Sequence, residues 1–239
     1  MIEGAAPPGV RVLTTTRDGG VSVGPYSSLN LAGHVDDDPA AVAENRRRLV
    51  GALALPGDPA WLEQVHGTRV LELHDEPPTA PADAALTRKP GVVLAVLTAD
   101  CLPVVLAASD GSAVAVVHAG WRGMAADIIE AAIEALAVAP DRLQAWLGPA
   151  IGPAAYEVGA DVRAAFVDRD AGAAAAFMAG RPDKWQCDLY ALARRRLAAA
   201  GVEAVSGGGF CTYSDRERFF SYRRDGQCGR MATLAWLEK

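Results

Sequence analysis

The chain has 239 residues, of which 51% are hydrophobic and 22% charged, a composition that is ordinary for globular proteins and excludes the disordered and fibrous classes. A formal net charge of −6 disfavours binding along a phosphate backbone, so nucleic acid is not an expected partner. The length predicts one large domain or two small ones, and no repeat or low-complexity linker marks a boundary between two.

The first predicted element is a helix over residues 41–55, preceded by the acidic stretch DDDPA that suits a helix amino end. A strand-like segment at 61–73 and a proline-rich loop at 74–83 follow. Three runs rich in β-branched residues, bounded by turn residues, then predict buried strands at 91–100, 103–109 and 112–120.

The second half of the chain continues the alternation of helices and strands. Isoleucines on one stripe with acids opposite predict an amphipathic helix over 124–138, and a strand is expected at 143–148. The alanine-rich stretch 171–180 is expected to be helical or a loose connection, and residues 188–201 form a helix that Gly201 ends. This alternation predicts an α/β or α+β architecture built in layers.

The ends of the chain and its cysteines indicate a cellular location. The amino-terminal MIEGAAPPGV lacks the basic start and apolar run of a secretory signal, and no apolar stretch reaches the roughly 18 residues that span a bilayer. The cysteines at 101, 187, 211 and 228 are few and irregularly spaced, which suits reduced thiols better than a disulfide framework. We therefore expect a cytoplasmic protein without a membrane partner.

Reactive side chains stand where the predicted strands end. Asp100 and Cys101 close one strand and His118 closes another, and such ends aim side chains into a crevice. The thiol and imidazole are then either catalytic partners or metal ligands, although a lone cysteine is usually buried and inert. With His66 from the segment 61–73, two imidazoles and one thiolate make a plausible three-ligand metal site that leaves a fourth position for water.

The stretch Gly-Trp-Arg-Gly (120–123) follows His118 directly. Gly120 allows a close backbone approach, the following helix offers free N–H groups beside Trp121, and the guanidinium of Arg122 adds donors, so an anion could bind here. A tight strand-to-helix turn explains the glycines equally well. His34 and His74 lie among acids and prolines and are expected to be loop residues without a role in the site.

Eight motifs, in order, carry a resemblance to a known family: TTTRDGGVS, YSSLNLAGHV, ENRRRL, WLEQVHG, LTADCLPV, HAGWRG, LGPAIGPAAYEVG and FFSYRRDGQCGRMA. From about Thr14 to Leu237 the chain resembles the laccase-domain family. Its members carry the names polyphenol oxidase and peptidoglycan editing factor, and are also described as purine nucleoside phosphorylases with adenosine deaminase activity. Asp36, in HVDDDP, replaces a commonly seen glycine, which we interpret as a loop change.

The resemblance implies a fold and a metal site. The family fold is an α+β arrangement of four layers, α/β/β/α, with mixed sheets, here expected as a single domain over residues 1–239. The family's zinc site implies that one zinc ion is bound by His66, Cys101 and His118. Copper is possible, because the same ligand types bind a single copper ion tightly. A multicopper cluster needs far more histidines than the four in this chain.

The resemblance also implies a metal-dependent purine nucleoside enzyme. Such an enzyme would convert adenosine, inosine or methylthioadenosine to base and ribose 1-phosphate, and would deaminate adenosine to inosine. A metal-bound water with a lowered pKa could attack C6 of adenosine. The catalytic candidates are Asp100, Cys101 and Arg122. Asp100 either moves the proton or orients a ligand histidine.

Phosphorolysis requires cationic groups near phosphate and polar groups near the nucleoside. The candidates for phosphate are Arg17, Arg46, Arg122 and Arg223. Asn30 and Tyr156 are candidates for ribose or base, and Gly120 and Trp121 complete the predicted substrate-binding set. The expected partners are therefore a purine nucleoside and phosphate, bound by a monomer or homodimer.

Three other functions stay open at this point. A copper-dependent polyphenol oxidase would use the same ligands. A Cys-His hydrolase acting on cell-wall amides would use His118 to activate Cys101 as a nucleophile. A binding module that senses purines or metal would need the pocket without turnover.

Overall fold

The computed structural model describes residues 1–74 and 76–238, over which strands and helices alternate. The strands are β1 (Ile2–Glu3), β2 (Val10–Thr14), β3 (Ala60–Trp61), β4 (Val70–Glu72), β5 (Ala84–Thr87), β6 (Leu94–Thr98), β7 (Leu102–Ala108), β8 (Val114–Ala119), β9 (Leu143–Leu147), β10 (Glu157–Gly159), β11 (Phe177–Ala179), β12 (Lys184–Cys187), β13 (Ala204–Gly207) and β14 (Met231–Leu237). The α-helices are α1 (Pro39–Leu53), α2 (Trp121–Ala125), α3 (Ile128–Leu136), α4 (Ala160–Val167), α5 (Leu189–Ala199) and α6 (Tyr222–Asp225). Short 3₁₀ helices cover Gly24–Tyr26, Pro140–Arg142, Pro153–Ala155 and Ala171–Ala176.

Two large sheets form the centre of the molecule. The first has the strand order β1-β2-β14-β6-β3, and the second has the order β13-β9-β7-β8-β5-β4. Both are mixed, because β3 joins β6 in parallel while the other pairs of the first sheet are antiparallel, and β13–β9 and β4–β5 are parallel pairs in the second. A small antiparallel sheet of β10, β12 and β11 lies apart from them.

Apolar side chains hold the sheets together face to face. The inner layer combines residues of both sheets, including Val12, Val96, Val105, Val116 and Trp146. On the outer face of the first sheet, Leu97 and Leu234 belong to one cluster with Leu49 of α1. Helices α3 and α5 cover the outer face of the second sheet, where Ile129 and Leu192 pack in the cluster that contains Leu106. The order α/β/β/α and the mixed sheets confirm the fold that the family resemblance implied.

Helix α1 begins with a local sequence signal. The carboxylate of Asp38 accepts a hydrogen bond of 2.9 Å from the amide of Ala40, and Pro39 occupies the first turn, where its missing N–H costs nothing. The helix ends where Ala54 adopts a left-handed conformation with φ 46°. It therefore starts and stops two residues earlier than the predicted 41–55.

The central strands lie where the sequence pattern predicted them. The runs at 91–100, 103–109 and 112–120 contain β6, β7 and β8, and the expected strand at 143–148 is β9. Helix α5 fills the predicted segment 188–201, with Asp188 as its N-cap. The alanine-rich stretch begins with a 3₁₀ helix and ends in β11.

Two predicted elements were wrong. The single helix over 124–138 is two helices, α2 and α3, because Asp127 adopts a left-handed conformation with φ 74° and its carboxylate pairs with Arg169 at 2.6 Å. The strand-like segment 61–73 is interrupted, with an irregular loop between β3 and β4. Position 75 of the predicted loop 74–83 lies outside the described residues, and residues 76–83 form neither helix nor strand.

No helix in the described part of the chain could cross a membrane. None of the helices between residues 1 and 238, position 75 aside, combines the length and the apolar character needed to span a bilayer.

Candidate metal centre and its two cavities

Three separate parts of the chain bring His66, Cys101 and His118 together. Cys101 lies in the connection between β6 and β7, and His118 is in β8, whose pairing with β7 sets Leu102 opposite Ala119. His66 approaches from the loop between β3 and β4. The ligand atoms of the three residues all lie within 4.8 Å of one another, and the Cys101 Sγ atom is 4.0 Å from Nε2 of His66. The group is compact enough to surround one metal ion, and we name it the His-Cys-His group.

The buried carboxylate of Asp83 organises both histidines. Its two oxygens accept hydrogen bonds from the backbone amides of Val65 (3.1 Å), His66 (2.8 Å) and Gly67 (2.6 Å), which fixes the loop that carries His66. One of these oxygens is also 2.8 Å from Nδ1 of His118, and the backbone carbonyl of Asp83 accepts from the His118 amide. Asp83 is fully buried, so these contacts form in a site of low dielectric.

The hydrogen bond from Nδ1 of His118 to the Asp83 carboxylate decides which nitrogen of His118 faces the group. With Nδ1 occupied by the carboxylate, Nε2 is left for a metal, which is the usual carboxylate–histidine arrangement behind metal ligands. Asp100 was the residue predicted for this orienting role, and Asp83 was not among the predicted site residues. The available signal was small: an acid immediately before the strand β5, at the end of the proline-rich loop.

Asp100 has different partners. Its carboxylate accepts hydrogen bonds from the hydroxyl of Thr212 (2.6 Å) and from the backbone amide of Arg223 (2.7 Å). Its backbone has φ 97°, and His66 has φ 59°, conformations that non-glycine residues rarely adopt and that cluster at functional sites. The role of orienting a ligand histidine therefore belongs to Asp83, and Asp100 remains a candidate for contact with substrate.

The electrostatics of the group favour a thiolate beside an imidazolium. Burial opposes ionisation of Cys101, but the charge of His118 and hydrogen bonds to both histidines outweigh it and lower the pKa of the thiol to about 6. Burial also opposes charge on His118, yet the Cys101 thiolate and the Asp83 carboxylate raise the pKa of His118 to about 9. A thiolate is the form of cysteine that binds metals.

The donor set fits zinc or a single copper ion. One thiolate and two imidazole nitrogens are the ligand types that both metals prefer, and three protein ligands are the usual number at a catalytic zinc site with an open position. Within residues 1–74 and 76–238, these three side chains form the one group of His, Cys, Asp or Glu ligands close enough to bind a metal ion.

Gly120 borders the group so closely that a side chain would disturb it. A Cβ atom at this position would lie 3.1 Å from Sγ of Cys101 and 3.1 Å from Cδ2 of His66. We expect Gly120→Ala to lower metal affinity by about ten-fold, the size of effect seen when ligand-orienting contacts are disturbed. Titration of the metal-free protein with zinc, followed by calorimetry, measures this.

A glycine in open surroundings provides the matched control. A Cβ atom on Gly51, in α1, would meet no atom within 4 Å, so Gly51→Ala is expected to keep the metal affinity and to stabilise the fold by about 0.5–1 kcal/mol. Equal metal affinity in Gly120→Ala and the unmodified protein would show that Gly120 does not shape the group.

Two cavities open on the group. The first, of about 220 Å³, has walls that include Trp121, Ile151, Tyr156 and Leu189, and we name it the aromatic cavity. The second, of about 400 Å³, is lined in part by His34, Gln64, Thr98 and Arg230, and we name it the polar cavity.

Several predicted substrate residues line the aromatic cavity. The guanidinium of Arg122 lies 4.4 Å from the ring centroid of Trp121, and that of Arg223 lies 5.1 Å from the ring centroid of Tyr156. Nη1 of Arg223 also donates to the carbonyl of Glu157 at 2.7 Å. Asp100 lines the same cavity. Besides the metal ligands, five predicted side chains therefore share it: Asp100, Trp121, Arg122, Tyr156 and Arg223.

Four predicted substrate residues lie outside the linings of both cavities: Gly120, which borders the His-Cys-His group, and Arg17, Arg46 and Asn30. Arg17 donates to the carbonyl oxygens of Ser27 and Arg216, and Arg46 donates to that of Leu31. Asn30 is fully buried and bonds to Asp37 at 2.9 Å. These contacts tie loops together, and the predicted contacts of Arg17, Arg46 and Asn30 with substrate stay predictions.

Two residues that line the polar cavity, His34 and Arg230, are not among the predicted site residues. His34 lies in a loop, as predicted, and its expected lack of a role stays a prediction. Both stand inside motifs quoted for the family resemblance, YSSLNLAGHV and FFSYRRDGQCGRMA, which was the available signal.

Comparisons with known proteins agree on one family. The family model described as multi-copper polyphenol oxidoreductase laccase matches residues 11–238. A purine nucleoside phosphorylase of Xylella fastidiosa is 59% identical over 97% of this chain and 94% of its own length. Purine nucleoside phosphorylase YfiH of Escherichia coli is 53% identical over 97% of this chain and 95% of its own.

Solved structures give the same result for the fold. The crystal structure of a Neisseria meningitidis protein has a TM-score of 0.94 at 46% identity, and the match covers 100% of this chain and 99% of that one. YlmD from Geobacillus stearothermophilus has a TM-score of 0.89 at 32% identity, covering 97% of this chain and 93% of YlmD.

Proposed function

The chain belongs to the multi-copper polyphenol oxidoreductase laccase family, and we propose that it is a metal-dependent purine nucleoside phosphorylase. Its substrates are adenosine, inosine or methylthioadenosine together with phosphate, and its products are the free base and a ribose 1-phosphate. The observation that carries the proposal is an aromatic cavity, with two guanidinium groups, that opens directly on the His-Cys-His group.

The aromatic cavity suits a purine base. Its walls combine the rings of Trp121 and Tyr156 with the aliphatic side chains of Ile151 and Leu189, and aromatic and aliphatic surfaces are what a flat heterocycle contacts in small-molecule sites. The guanidinium groups of Arg122 and Arg223 face the same space and offer donors to the ring nitrogens and exocyclic oxygen of a purine.

A metal ion would be bound by His66, Cys101 and His118. When bound there, zinc or copper would supply a Lewis acid next to both cavities. The hydrogen bonds of Asp83 to His118 and to the loop that carries His66 would hold the two imidazoles in place for the metal.

The chain's own residues match the charges that develop in phosphorolysis. As the bond from C1′ to the base breaks, positive charge builds on the ribose and negative charge on the purine. The Asp100 carboxylate, which accepts a hydrogen bond from Thr212 and lines the aromatic cavity, would stabilise the sugar, and donors on Arg122 and Arg223 would stabilise the departing base. The two charges are thus met by preorganised groups rather than by water.

Hydrolytic deamination of adenosine to inosine and ammonia is a second candidate activity. The specific observation in its favour is the three-ligand group, since three protein ligands and one open position are typical of hydrolytic zinc sites. Multicopper oxidase chemistry is disfavoured, because the chain has four histidines and two of them already belong to the His-Cys-His group.

We place the enzyme in the cytoplasm. All four cysteines are free thiols, as expected for a chain in a reducing compartment.

Chromatography of the products tests the proposal. We expect metal-loaded protein to convert inosine to hypoxanthine and adenosine to adenine only when phosphate is present. Inosine formed from adenosine without phosphate would establish deamination as well. If neither free base nor inosine exceeds the amount made by a Cys101→Ala control, the proposal fails.

A further inference from the structure

The aromatic and polar cavities meet at a shared wall. His66, Ala99, Cys101 and Tyr222 line both of them. A molecule that spans the two cavities therefore passes beside the His-Cys-His group, with one end in each cavity.

The polar cavity presents one guanidinium group and one exposed imidazole to a ligand. Arg230 and His34 line it, and burial together with the charges of Arg230, Arg46 and His118 lowers the pKa of His34. Within residues 1–74 and 76–238, no carboxylate is among the side chains that line this cavity. An anion entering it meets the guanidinium of Arg230 and an N–H donor of His34, while the negative charge of Cys101 lies on the wall that the two cavities share.

Contacts with neighbouring groups hold the guanidinium of Arg230 in one position. Its Nη1 donates to the carbonyl of Cys228 at 2.7 Å and to that of Gly229 at 3.1 Å, and its guanidinium lies 5.7 Å from the ring centroid of Tyr222. A fixed guanidinium fork loses little entropy when it binds an oxyanion. In the same wall, the buried hydroxyl of Thr98 has no hydrogen-bond partner, which leaves a donor for an acceptor from outside.

Phosphorolysis needs two binding regions on opposite sides of the ribose. A phosphate oxygen forms the new bond to C1′ while the bond from C1′ to the base nitrogen breaks, and the electron pair of that bond leaves with the base. The proton of hydrogen phosphate ends on the base nitrogen, so the products are ribose 1-phosphate and neutral base. Entry opposite to the leaving base aligns the reacting atoms.

We infer that inorganic phosphate binds in the polar cavity, held by Arg230 and His34, while the base occupies the aromatic cavity and the ribose lies at the wall they share. This inference rests on the proposed function. It reassigns Arg122 and Arg223, predicted as phosphate ligands, to the base, and it gives phosphate two residues that the sequence analysis did not select. The two cavities then account for the two substrates.

Steady-state kinetics of Arg230→Gln tests the subsite. We expect the KM for phosphate to rise about ten-fold or more, the effect of losing a charge-assisted hydrogen bond, while the KM for inosine stays close to that of the unmodified protein. The matched control is Arg47→Gln on the exposed face of α1, where Arg47 pairs with Glu44 at 2.7 Å. If Arg230→Gln does not fold, His34→Asn gives the same readout.

The outcomes separate the subsite from the function. An unchanged KM for phosphate in Arg230→Gln and His34→Asn, with a rise in Arg122→Gln, would overturn the subsite and leave phosphorolysis standing. Absence of phosphate-dependent product with the unmodified protein would overturn both.

A competition experiment distinguishes inorganic phosphate from the phosphate group of a nucleotide as the ligand of the polar cavity. We expect inosine 5′-monophosphate to compete with inorganic phosphate more weakly than arsenate does. Stronger competition by the nucleotide, lost in Arg230→Gln, would show that the polar cavity takes a nucleotide phosphate instead and would overturn the inference.

Discussion

Cys101→Ala is expected to remove the bound metal ion and to lower phosphorolysis by more than about a hundred-fold. The thiolate is the one anionic ligand of the His-Cys-His group, and loss of a ligand costs more than the ten- to hundred-fold associated with loss of a residue that only orients one. Metal analysis of the purified protein and product chromatography measure the two effects. His66→Ala and His118→Ala are expected to behave in the same way.

The control for this substitution is another thiol. Cys211→Ala removes a partly exposed sulfur that accepts a hydrogen bond from the amide of Gly152 at 3.2 Å and is not part of the group, so metal content is expected to stay unchanged. Full metal retention in all three ligand variants would contradict the ligand assignment.

Asp83→Asn is expected to destabilise the fold by about 3 kcal/mol and to weaken metal binding by about ten- to a hundred-fold. The carboxylate accepts from three successive backbone amides and from His118, whereas an asparagine side chain turns one acceptor into a donor that faces those donors. Chemical denaturation of the metal-free protein measures the first effect, and zinc titration measures the second.

An exposed aspartate shows whether these effects belong to the site. Asp110 bonds to Ser112 and pairs with Arg142 at the surface, so Asp110→Asn is expected to leave both stability and metal affinity close to those of the unmodified protein. Wild-type stability and metal affinity in Asp83→Asn would show that the carboxylate does not organise the histidines.

The positions of Cys101 and His118 could be predicted because they depend on local pattern. Buried strands in this chain are continuous apolar runs, so the polar residues that interrupt them mark the strand ends. The pairing of β7 with β8 then brings the two ends together. His66 was selected as a ligand, but its loop was predicted as a strand, because alternating apolar and polar residues do not reveal a positive φ or a carboxylate 17 positions away.

The contacts of Asp83 and the place of His34 in the lining of the polar cavity could not be predicted, because both depend on packing between distant segments. Asp83 acts through amides and an imidazole that the fold brings to it, and nothing in its neighbours along the chain indicates this. His34 lies exposed in an acidic loop, and the fold brings Arg46 and, from the other end of the chain, Arg230 close to it. The division of the predicted helix at Asp127 could not be predicted for the same reason, because its ion-pair partner Arg169 is distant in the sequence.

Stepwise reloading of the metal-free protein with zinc, and separately with copper, tests the central claim most directly. The rate of phosphate-dependent release of hypoxanthine from inosine is measured after each addition. We expect a rate that rises in proportion to added metal and stops rising at one ion per chain, as a single His-Cys-His group requires. A metal-free protein that is as active as the loaded one would contradict it.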